Sequence, residues 1–231
     1  MMFGTSKQKN KFISNIELLI KDLSGPNYFT NAFSNIGIKS LIILSNVFRA
    51  DRSYLAAYLA KILFLRKDLY KKKSVLDLGC GCGLQGLVCA LNGAKNVHFS
   101  DINPAAIKNA LLNVILLDVK NCSFSCGNLF ENIPSNSFFD LIIFTPPSIS
   151  GIARKVSELA FLRNDKDLLR FYKSFPRFLK KNGKLIMPAS TRFSDELSPM
   201  NVCKRYGYNL TIIHKEKEEG GHYKFTLEIN V

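Results

Sequence analysis

The sequence predicts an α/β fold in which helices cover both faces of a mostly parallel sheet. Three observations carry this prediction. From Ser74 onward, strand-like runs alternate with stretches of helical periodicity, as expected when parallel strands are joined by helical crossovers. The chain has 231 residues, of which 47% are hydrophobic, enough for one full-sized core. Two final strand-like runs flank the sequence EGGH and predict a terminal antiparallel pair.

The N-terminal section, residues 1–73, is predicted to be a helical extension or lid on a main domain that spans residues 74–231. Apolar residues at helical spacing predict helices at 12–23 and 51–70. A strand-like run at 41–48 lies between them, after a turn-rich stretch.

The main domain has five strand-like runs that are separated by helical stretches and followed by the terminal pair. Its predicted strands are 74–79, 96–101, 122–128, 139–145 and 183–189, and its predicted helices are 84–93, 103–118, 153–162 and 167–181. The terminal strands are predicted at 209–216 and 223–231.

The net charge of +14 is unevenly distributed along the chain. Residues 1–73 hold 13 Lys and Arg against 4 Asp and Glu, residues 74–150 hold 3 against 5, and residues 151–231 hold 16 against 9. Two basic flanks could steer an anionic partner such as RNA. A compositional bias toward Lys, Asn and Ile explains the same numbers without such a partner, so both interpretations stay open.

Composition also bounds the location and the chemistry of the chain. No stretch approaches the ~18–20 apolar residues that cross a bilayer, and the polar start leads into a short apolar run too weak for a secretory signal. We therefore expect a soluble, cytoplasmic protein without a membrane partner. None of the six cysteines forms a CxxC pair, and there are three histidines. Reduced thiols and no metal site are the expected consequence.

A glycine-rich turn, VLDLGCGCGLQGL, follows the first strand of the main domain and opens a helix. Gly79, Gly81 and Gly83 allow a tight turn and let the backbone approach a ligand without a Cβ clash. Asp77, at the end of the strand, can accept hydrogen bonds from an ammonium group. The second half of the turn, GCGLQG, also matches the dinucleotide pattern GxGxxG, which on its own is a weak signal.

Asp101 ends the next strand, where an acid can accept hydrogen bonds from both hydroxyls of a ribose. A dinucleotide and S-adenosylmethionine both carry such a ribose, so this residue does not separate the two ligands. Asp77 does separate them, because it stands two residues before the first glycine. Its carboxylate would repel a pyrophosphate and attract the ammonium of a methionine.

With these residues in place, the chain resembles the class I S-adenosylmethionine-dependent methyltransferases. The resemblance spans about residues 74–190, and it implies a Rossmann-like fold and S-adenosylmethionine as cofactor. The matching segments are VLDLGCGCG, VHFSDINPAAIKNA, GNLFENI, FDLIIFTPP and FPRFLKKNGKLIMPAS.

The resemblance also implies roles for single residues. Asp77, Gly79, Gly81 and Gly83 would form the cradle for the methionine end of the cofactor. Asp101 would bind the ribose, and Ile102 and Asn103 would lie beside the adenine. Asn128 stands at a position often held by an acid that contacts the adenine amino group. Leu129 would pack on the adenine ring.

The stretch FDLIIFTPPSIS is similar to the acceptor loop of a branch that methylates amide or exocyclic amine nitrogens. In that branch the fourth strand ends in Asn-Pro-Pro-aromatic, and the Asn side chain and a proline carbonyl accept hydrogen bonds from the target NH₂. Here Pro146 and Pro147 are present, but Thr145 replaces the Asn and Ser148 replaces the aromatic residue. The resemblance thus implies Thr145–Ser148 as the catalytic loop and leaves the target nitrogen open.

The segment NVFRADRSY resembles the part of the same branch that covers the cofactor site. Arg49 or Arg52 could contact the substrate, and Phe48 or Tyr54 could supply the missing aromatic ring. Tyr54 is equally well explained as a helix residue packed on the sheet.

The leading hypothesis is therefore a methyltransferase that acts on a nitrogen of a macromolecule, either RNA or a translation-related protein. The altered loop and the N-terminal section leave open a small-molecule biosynthetic methyltransferase. A non-catalytic module that retains cofactor binding is a third possibility, and a dinucleotide oxidoreductase is the last. The methyl acceptor itself cannot be identified from the sequence.

Overall fold

The alternation of strands and helices after Ser74 produces the predicted sheet. The computed structural model describes residues 25–193 and 195–231, and the helix predicted at 12–23 lies outside them. The described strands are β1 (Tyr28–Thr30), β2 (Leu41–Ile43), β3 (Ser74–Leu78), β4 (Asn96–Asp101), β5 (Cys122–Cys126), β6 (Phe139–Phe144), β7 (Ile149–Ser150), β8 (Leu162–Arg163), β9 (Leu179–Ser190), β10 (Asn209–Lys217) and β11 (Tyr223–Asn230). The described α-helices are α1 (Tyr54–Leu65), α2 (Leu84–Leu91), α3 (Pro104–Leu116), α4 (Asp165–Ser174) and α5 (Pro199–Tyr206).

The main sheet has seven strands in the order β10-β11-β9-β6-β3-β4-β5. The five strands β5, β4, β3, β6 and β9 are parallel, and β11 and β10 add an antiparallel pair at one edge. This confirms the predicted α/β class, the mostly parallel sheet and the terminal hairpin. The parallel strands follow the chain order 3-2-1-4-5, so the order reverses between β3 and β6, where doubly wound sheets bind ligands at the carboxyl ends of the strands.

Helices cover both faces of this sheet, as predicted. On one face α1, α2 and α3 share a hydrophobic core with the sheet, in which Leu59 and Leu63 of α1 are fully buried together with Val75 and Ile143. On the other face α4 and α5 form a second core, which contains the buried ring of Phe171. Helix α1, from the N-terminal section, thus packs in the same core as the sheet. The division of the chain at residue 73 stays a prediction.

Two predicted helices differ from the structure, and one helix was not predicted. The predicted helix 153–162 is a 3₁₀ turn, Val156–Ala160, followed by β8. The predicted helix 167–181 ends at Ser174, because Pro176 lies in the next turn and a short 3₁₀ segment leads into β9. The helix α5 was not predicted; it has eight residues and is followed by Gly207, which has φ +72°.

Among the described residues, no helix has the length and apolar character required to cross a membrane. The cytoplasmic location stays a prediction. Within the same part of the chain, no group of three or more His, Cys, Asp or Glu side chains is arranged to hold a metal ion.

Candidate active site

A cavity of about 350 Å³ lies at the carboxyl ends of β3, β4 and β6. This is the edge of the sheet at which the strand order reverses, so its position is that of a ligand site. The sequence-predicted residues that line it are Phe48, Arg52, Tyr54, Gly79, Gly81, Asp101, Ile102, Asn103, Asn128, Leu129, Thr145, Pro146, Pro147 and Ser148.

The glycine turn forms one wall of the cavity. Gly79 and Gly81 have φ values of +66° and +55°, which are left-handed conformations that favour glycine. A Cβ atom built on Gly81 meets no atom within 4 Å. Because Gly81 lines the cavity, that space is available to a ligand, which can approach the backbone closely.

Asp101 joins the glycine turn to the end of β4. Its Oδ2 accepts a hydrogen bond from the backbone N–H of Gly81 at 2.9 Å, and its Oδ1 accepts one from the N–H of Asn103 at 2.8 Å. Each carboxylate oxygen keeps a further lone pair for another donor. Burial raises the pKa of Asp101, while the backbone donors lower it. The carboxylate is therefore held in a fixed orientation beside the cavity.

The far end of the cavity is built from two turns. Ile102 and Leu129 contribute apolar walls, and Leu129 adopts a left-handed φ of +56°. Asn103 is the N-cap of α3 and accepts a hydrogen bond from the N–H of Ala105 at 3.0 Å. Its side-chain Nδ2 also donates to the carbonyl of Asn46 at 2.8 Å, so both polar ends of this side chain form hydrogen bonds within the protein.

Asp77 does not line the cavity, although the sequence predicted it as a cradle residue. The side chain is only 2% exposed and lies behind the glycine turn. Its Oδ2 accepts a hydrogen bond from the N–H of Gly86, in α2, at 2.8 Å. Burial raises the pKa of Asp77 to about 8, the Gly86 N–H opposes that rise, and the charge of Asp101 adds to it. Its placement supports the turn and does not indicate direct contact with a cofactor.

The buried position of Asp77 predicts a pH dependence of stability. The pKa of an unfolded aspartate is ~3.9, so between about pH 4 and pH 8 the folded state holds a proton that the unfolded state has lost. The free energy of unfolding therefore decreases as the pH rises through this range. Asp77→Asn keeps an acceptor for Gly86 and removes this dependence. We expect urea unfolding at pH 5, 7 and 8.5 to show Asp77→Asn gaining stability over the native protein as the pH rises. The prediction would be contradicted if the free energies of unfolding of the two proteins differed by the same amount at all three pH values.

Gly83 and Arg49 also lie outside the lining of the cavity. A Cβ atom on Gly83 would come within 3.2 Å of the Cβ of Ala110, so this glycine allows α3 to pack closely against the turn. The guanidinium of Arg49 lies 4.0 Å from the centre of the Tyr28 ring, and it forms an ion pair of 3.6 Å with Asp51. These contacts do not support a direct role for either residue at the cofactor or the substrate.

The double-proline loop lines the cavity next to the glycine turn, because it follows β6, which pairs with β3. Thr145, Pro146, Pro147 and Ser148 are all partly buried in that lining. Beside them, the start of α1 contributes Tyr54, which is 39% exposed. The structure thus brings the predicted catalytic loop and the predicted cofactor residues other than Asp77 and Gly83 around one cavity.

A flap, defined here as residues 149–164, follows the double-proline loop, contributes residues to the cavity lining and was not predicted. Its two ends pair as β7 and β8, where the N–H of Ile149 donates to the carbonyl of Phe161 at 3.2 Å. Arg163 of the flap lines the cavity and is 7% exposed. It forms ion pairs with Asp165 at 2.8 Å and with Asp195 at 2.6 Å.

Asp167 is a second lining residue that the sequence reasoning missed. It lies in the first turn of α4, where acidic side chains are common because they complement the helix dipole. The Nδ2 of Asn128 donates to its Oδ1 at 3.3 Å. Because acids are common in first helical turns, the sequence does not indicate which of them also borders a ligand site.

The family described as Methyltransferase small domain matches residues 41–198. A relative from Methanocaldococcus jannaschii, named "Putative protein N5-glutamine methyltransferase", is 36% identical over 159 residues, which cover 65% of this chain and 79% of the relative. The release factor glutamine methyltransferase of Fusobacterium nucleatum is 27% identical over 169 residues, covering 64% of this chain and 48% of the relative. The chain thus spans less than half the length of the second relative.

Solved structures with low sequence identity share the fold. The ribosomal protein L11 methylase of Lactobacillus delbrueckii superposes with a TM-score of 0.53 at 18% identity, over 73% of this chain and 75% of that one. A 16S rRNA methyltransferase of T. thermophilus, solved with AdoMet and guanosine, gives a TM-score of 0.59 at 19% identity, over 82% of this chain and 47% of that one.

Proposed function

Because this chain belongs to the methyltransferase small domain family and is an S-adenosylmethionine-dependent methyltransferase, we propose that it methylates a nitrogen of a macromolecule, specifically a side-chain amide of a protein. The observation that carries the proposal is the double-proline loop, which lines the same cavity as the glycine turn. Two curated relatives named for glutamine methylation support the choice of an amide. Family membership removes the dinucleotide oxidoreductase hypothesis.

The residues around the cavity fit S-adenosylmethionine. The open space at Gly81 admits a ligand against the backbone, and Asp101 has lone pairs left for the two ribose hydroxyls. Ile102 and Leu129 offer apolar walls for a purine. When bound, this cofactor supplies an electrophilic methyl group on a sulfonium.

The double-proline loop suits a substrate that donates hydrogen bonds. Pro146 and Pro147 have no N–H, so the loop presents only acceptors there. Within the described part of the chain, no backbone N–H donates to the carbonyl of Pro146. A planar NH₂ group held by that carbonyl and by the Thr145 hydroxyl would be positioned for an in-line displacement, which is how orientation lowers a barrier of this kind.

A label-transfer assay tests the proposed acceptor. S-adenosylmethionine carrying a radioactive methyl group is incubated with the protein and with separate extracts of total protein, total RNA and small metabolites. We expect label that resists ribonuclease, is removed by protease and is recovered as an N-methylated amide residue. Label in RNA would overturn the choice of protein as the acceptor.

A second candidate function is methylation of a small molecule, which the apolar side chains of the cavity lining, several of them from the flap, favour. Phe144, Leu159 and Phe161 line the cavity beside the double-proline loop, and such walls suit a ligand that is largely enclosed. Label found only in the metabolite extract would support this candidate. Tight binding of the cofactor product without any transfer would instead indicate a non-catalytic module.

Thr145 provides a specific test of the loop chemistry. Thr145→Val keeps the shape of the side chain but removes the hydroxyl acceptor, which is worth about 1 kcal/mol for a single hydrogen bond. We expect kcat to decrease about fivefold, while calorimetry gives an unchanged affinity for S-adenosylhomocysteine. Thr145→Ser keeps the hydroxyl and serves as the matched control. A Thr145→Val enzyme with native kcat would show that the hydroxyl does not hold the acceptor.

A further inference from the structure

We propose that Asp167 determines cofactor specificity by fixing the Asn128 side-chain amide with its oxygen toward the bound purine. The site would then select a purine with an amino group at C6 over one with an oxo group. This inference rests on the family assignment above and goes beyond it, because it concerns an interaction between two side chains of this chain.

The backbone of Asn128 is held by a local pair of hydrogen bonds. Its N–H donates to Oε2 of Glu131 at 3.2 Å, and the N–H of Glu131 donates to the carbonyl of Asn128 at 3.2 Å. The residue lines the cavity just before the left-handed turn at Leu129. The only large freedom left to this side chain is therefore its own rotation.

Asp167 removes the remaining freedom of the Asn128 amide. Its Oδ1 accepts from the Nδ2 of Asn128 at 3.3 Å and from Nη2 of Arg170 at 3.1 Å. If the amide were reversed, its oxygen would face a carboxylate oxygen at the same distance, and neither atom could donate a proton. The carboxylate therefore dictates that the amide nitrogen points toward α4 and that the amide oxygen remains available to a ligand.

Arg170 makes this arrangement electrostatically stable. Its guanidinium binds Asp167 through Nη2 and Glu131 through Nη1, each at 3.1 Å. The single positive charge of Arg170 lies between the two carboxylates and reduces the repulsion between them. The ion pair with Arg170 also holds the Asp167 carboxylate beside the side-chain amide of Asn128.

The chemical consequence is discrimination at one position of the purine. The amide oxygen can accept a hydrogen bond from an exocyclic amino group, as in adenine. An oxo group at the same position, as in hypoxanthine, would place two acceptors against each other. The cost of such an unmatched polar pair is large enough to reduce affinity by about tenfold or more.

Calorimetry with S-adenosylhomocysteine and its deaminated analogue, S-inosylhomocysteine, tests the inference. The native protein should bind the adenosyl compound at least about tenfold more tightly. In Asp167→Asn the partner of the amide can donate as well as accept, so the Asn128 amide can reverse. We expect the ratio of the two affinities to fall toward one, while affinity for the adenosyl compound falls only a few-fold.

Two further variants make the result decisive. Glu131→Gln alters the other partner of Arg170, keeps a side-chain oxygen for the backbone N–H of Asn128 and leaves the pairing of the Asn128 side-chain amide with Asp167 unchanged, so it should keep the native ratio. Asn128→Asp restores an acceptor that cannot reverse, so it should keep the preference for the adenosyl compound even in combination with Asp167→Asn. The inference would be overturned if the native protein bound the two compounds with nearly equal affinity. It would also be overturned if Asp167→Asn kept the same ratio of affinities as the native protein. Failure of the native protein to bind either compound would instead overturn the assignment of the cofactor.

Discussion

Replacement of Asp101 by alanine is expected to weaken binding of S-adenosylhomocysteine by at least about 100-fold. The carboxylate is the proposed acceptor for both ribose hydroxyls, and a hydrogen bond to a charged group contributes about 1.5–3 kcal/mol. Two such bonds correspond to more than two orders of magnitude in affinity. Alanine also leaves the N–H groups of Gly81 and Asn103 without their carboxylate partner, which loosens the glycine turn. Isothermal titration calorimetry measures the effect.

A matched pair of substitutions separates the role of Asp101 from that of negative charge in general. Asp101→Asn places an amide NH₂ against one of the two backbone donors, so a large part of the affinity should also be lost. Asp118→Asn removes the same charge from a side chain that is 83% exposed on the surface, and it should bind with native affinity. If Asp101→Ala bound within threefold of the native protein, the ribose assignment would be wrong.

The parts of the site that could be predicted are those that depend on the chain near one strand end. A strand that ends in glycines, a strand that ends in Asp101 and a strand that ends in Pro146 each have a local pattern. Parallel strands bring their carboxyl ends to one edge of a sheet. The sequence could therefore predict that these three strand ends border one site, without any knowledge of long-range packing.

The flap could not be predicted because its structure depends on pairing across a long loop. The stretch ARKVSELAFL has helical periodicity, yet β7 and β8 contribute only two residues each and pair with one another. Glu158, buried at 7% exposure, accepts from the N–H of Arg154 at 2.6 Å and ties the loop into a turn. Such contacts follow from the tertiary arrangement and leave no regular spacing in the sequence.

Side-chain direction explains why Asp77 and Arg49, which the sequence predicted at the site, do not line the cavity. Both lie close in the chain to residues that do line the cavity. Asp77 turns toward the start of α2, where the Gly86 N–H is the nearest donor. Arg49 turns toward Tyr28, 21 residues earlier in the chain, and donates to its hydroxyl at 2.7 Å. A sequence pattern gives the position of a residue along an element but not the partner that its side chain finds.

Replacement of Gly86 by alanine is expected to destabilise the fold by about 3 kcal/mol, because the added methyl has no space. A Cβ atom at Gly86 would lie 2.3 Å from Cε1 of Phe99 and 2.9 Å from Oδ2 of Asp77. Phe99 is fully buried in β4, and its ring stacks on Phe124 with centroids 5.3 Å apart, so the ring cannot move aside freely. Urea unfolding monitored by circular dichroism measures the change.

The sign of this effect distinguishes packing from helix propensity. Gly86 lies inside α2, where alanine is intrinsically more favourable than glycine by about 1 kcal/mol. If packing against Phe99 were unimportant, Gly86→Ala would therefore stabilise the protein. Phe99→Leu removes the ring atoms that the new methyl meets, so the double variant should lose less stability than the two single variants added together. A stabilised Gly86→Ala protein, or strictly additive losses, would show that α2 does not depend on this close approach. The contact matters for function because it also sets the position of the glycine turn against β4, and with it the distance between Gly81 and Asp101.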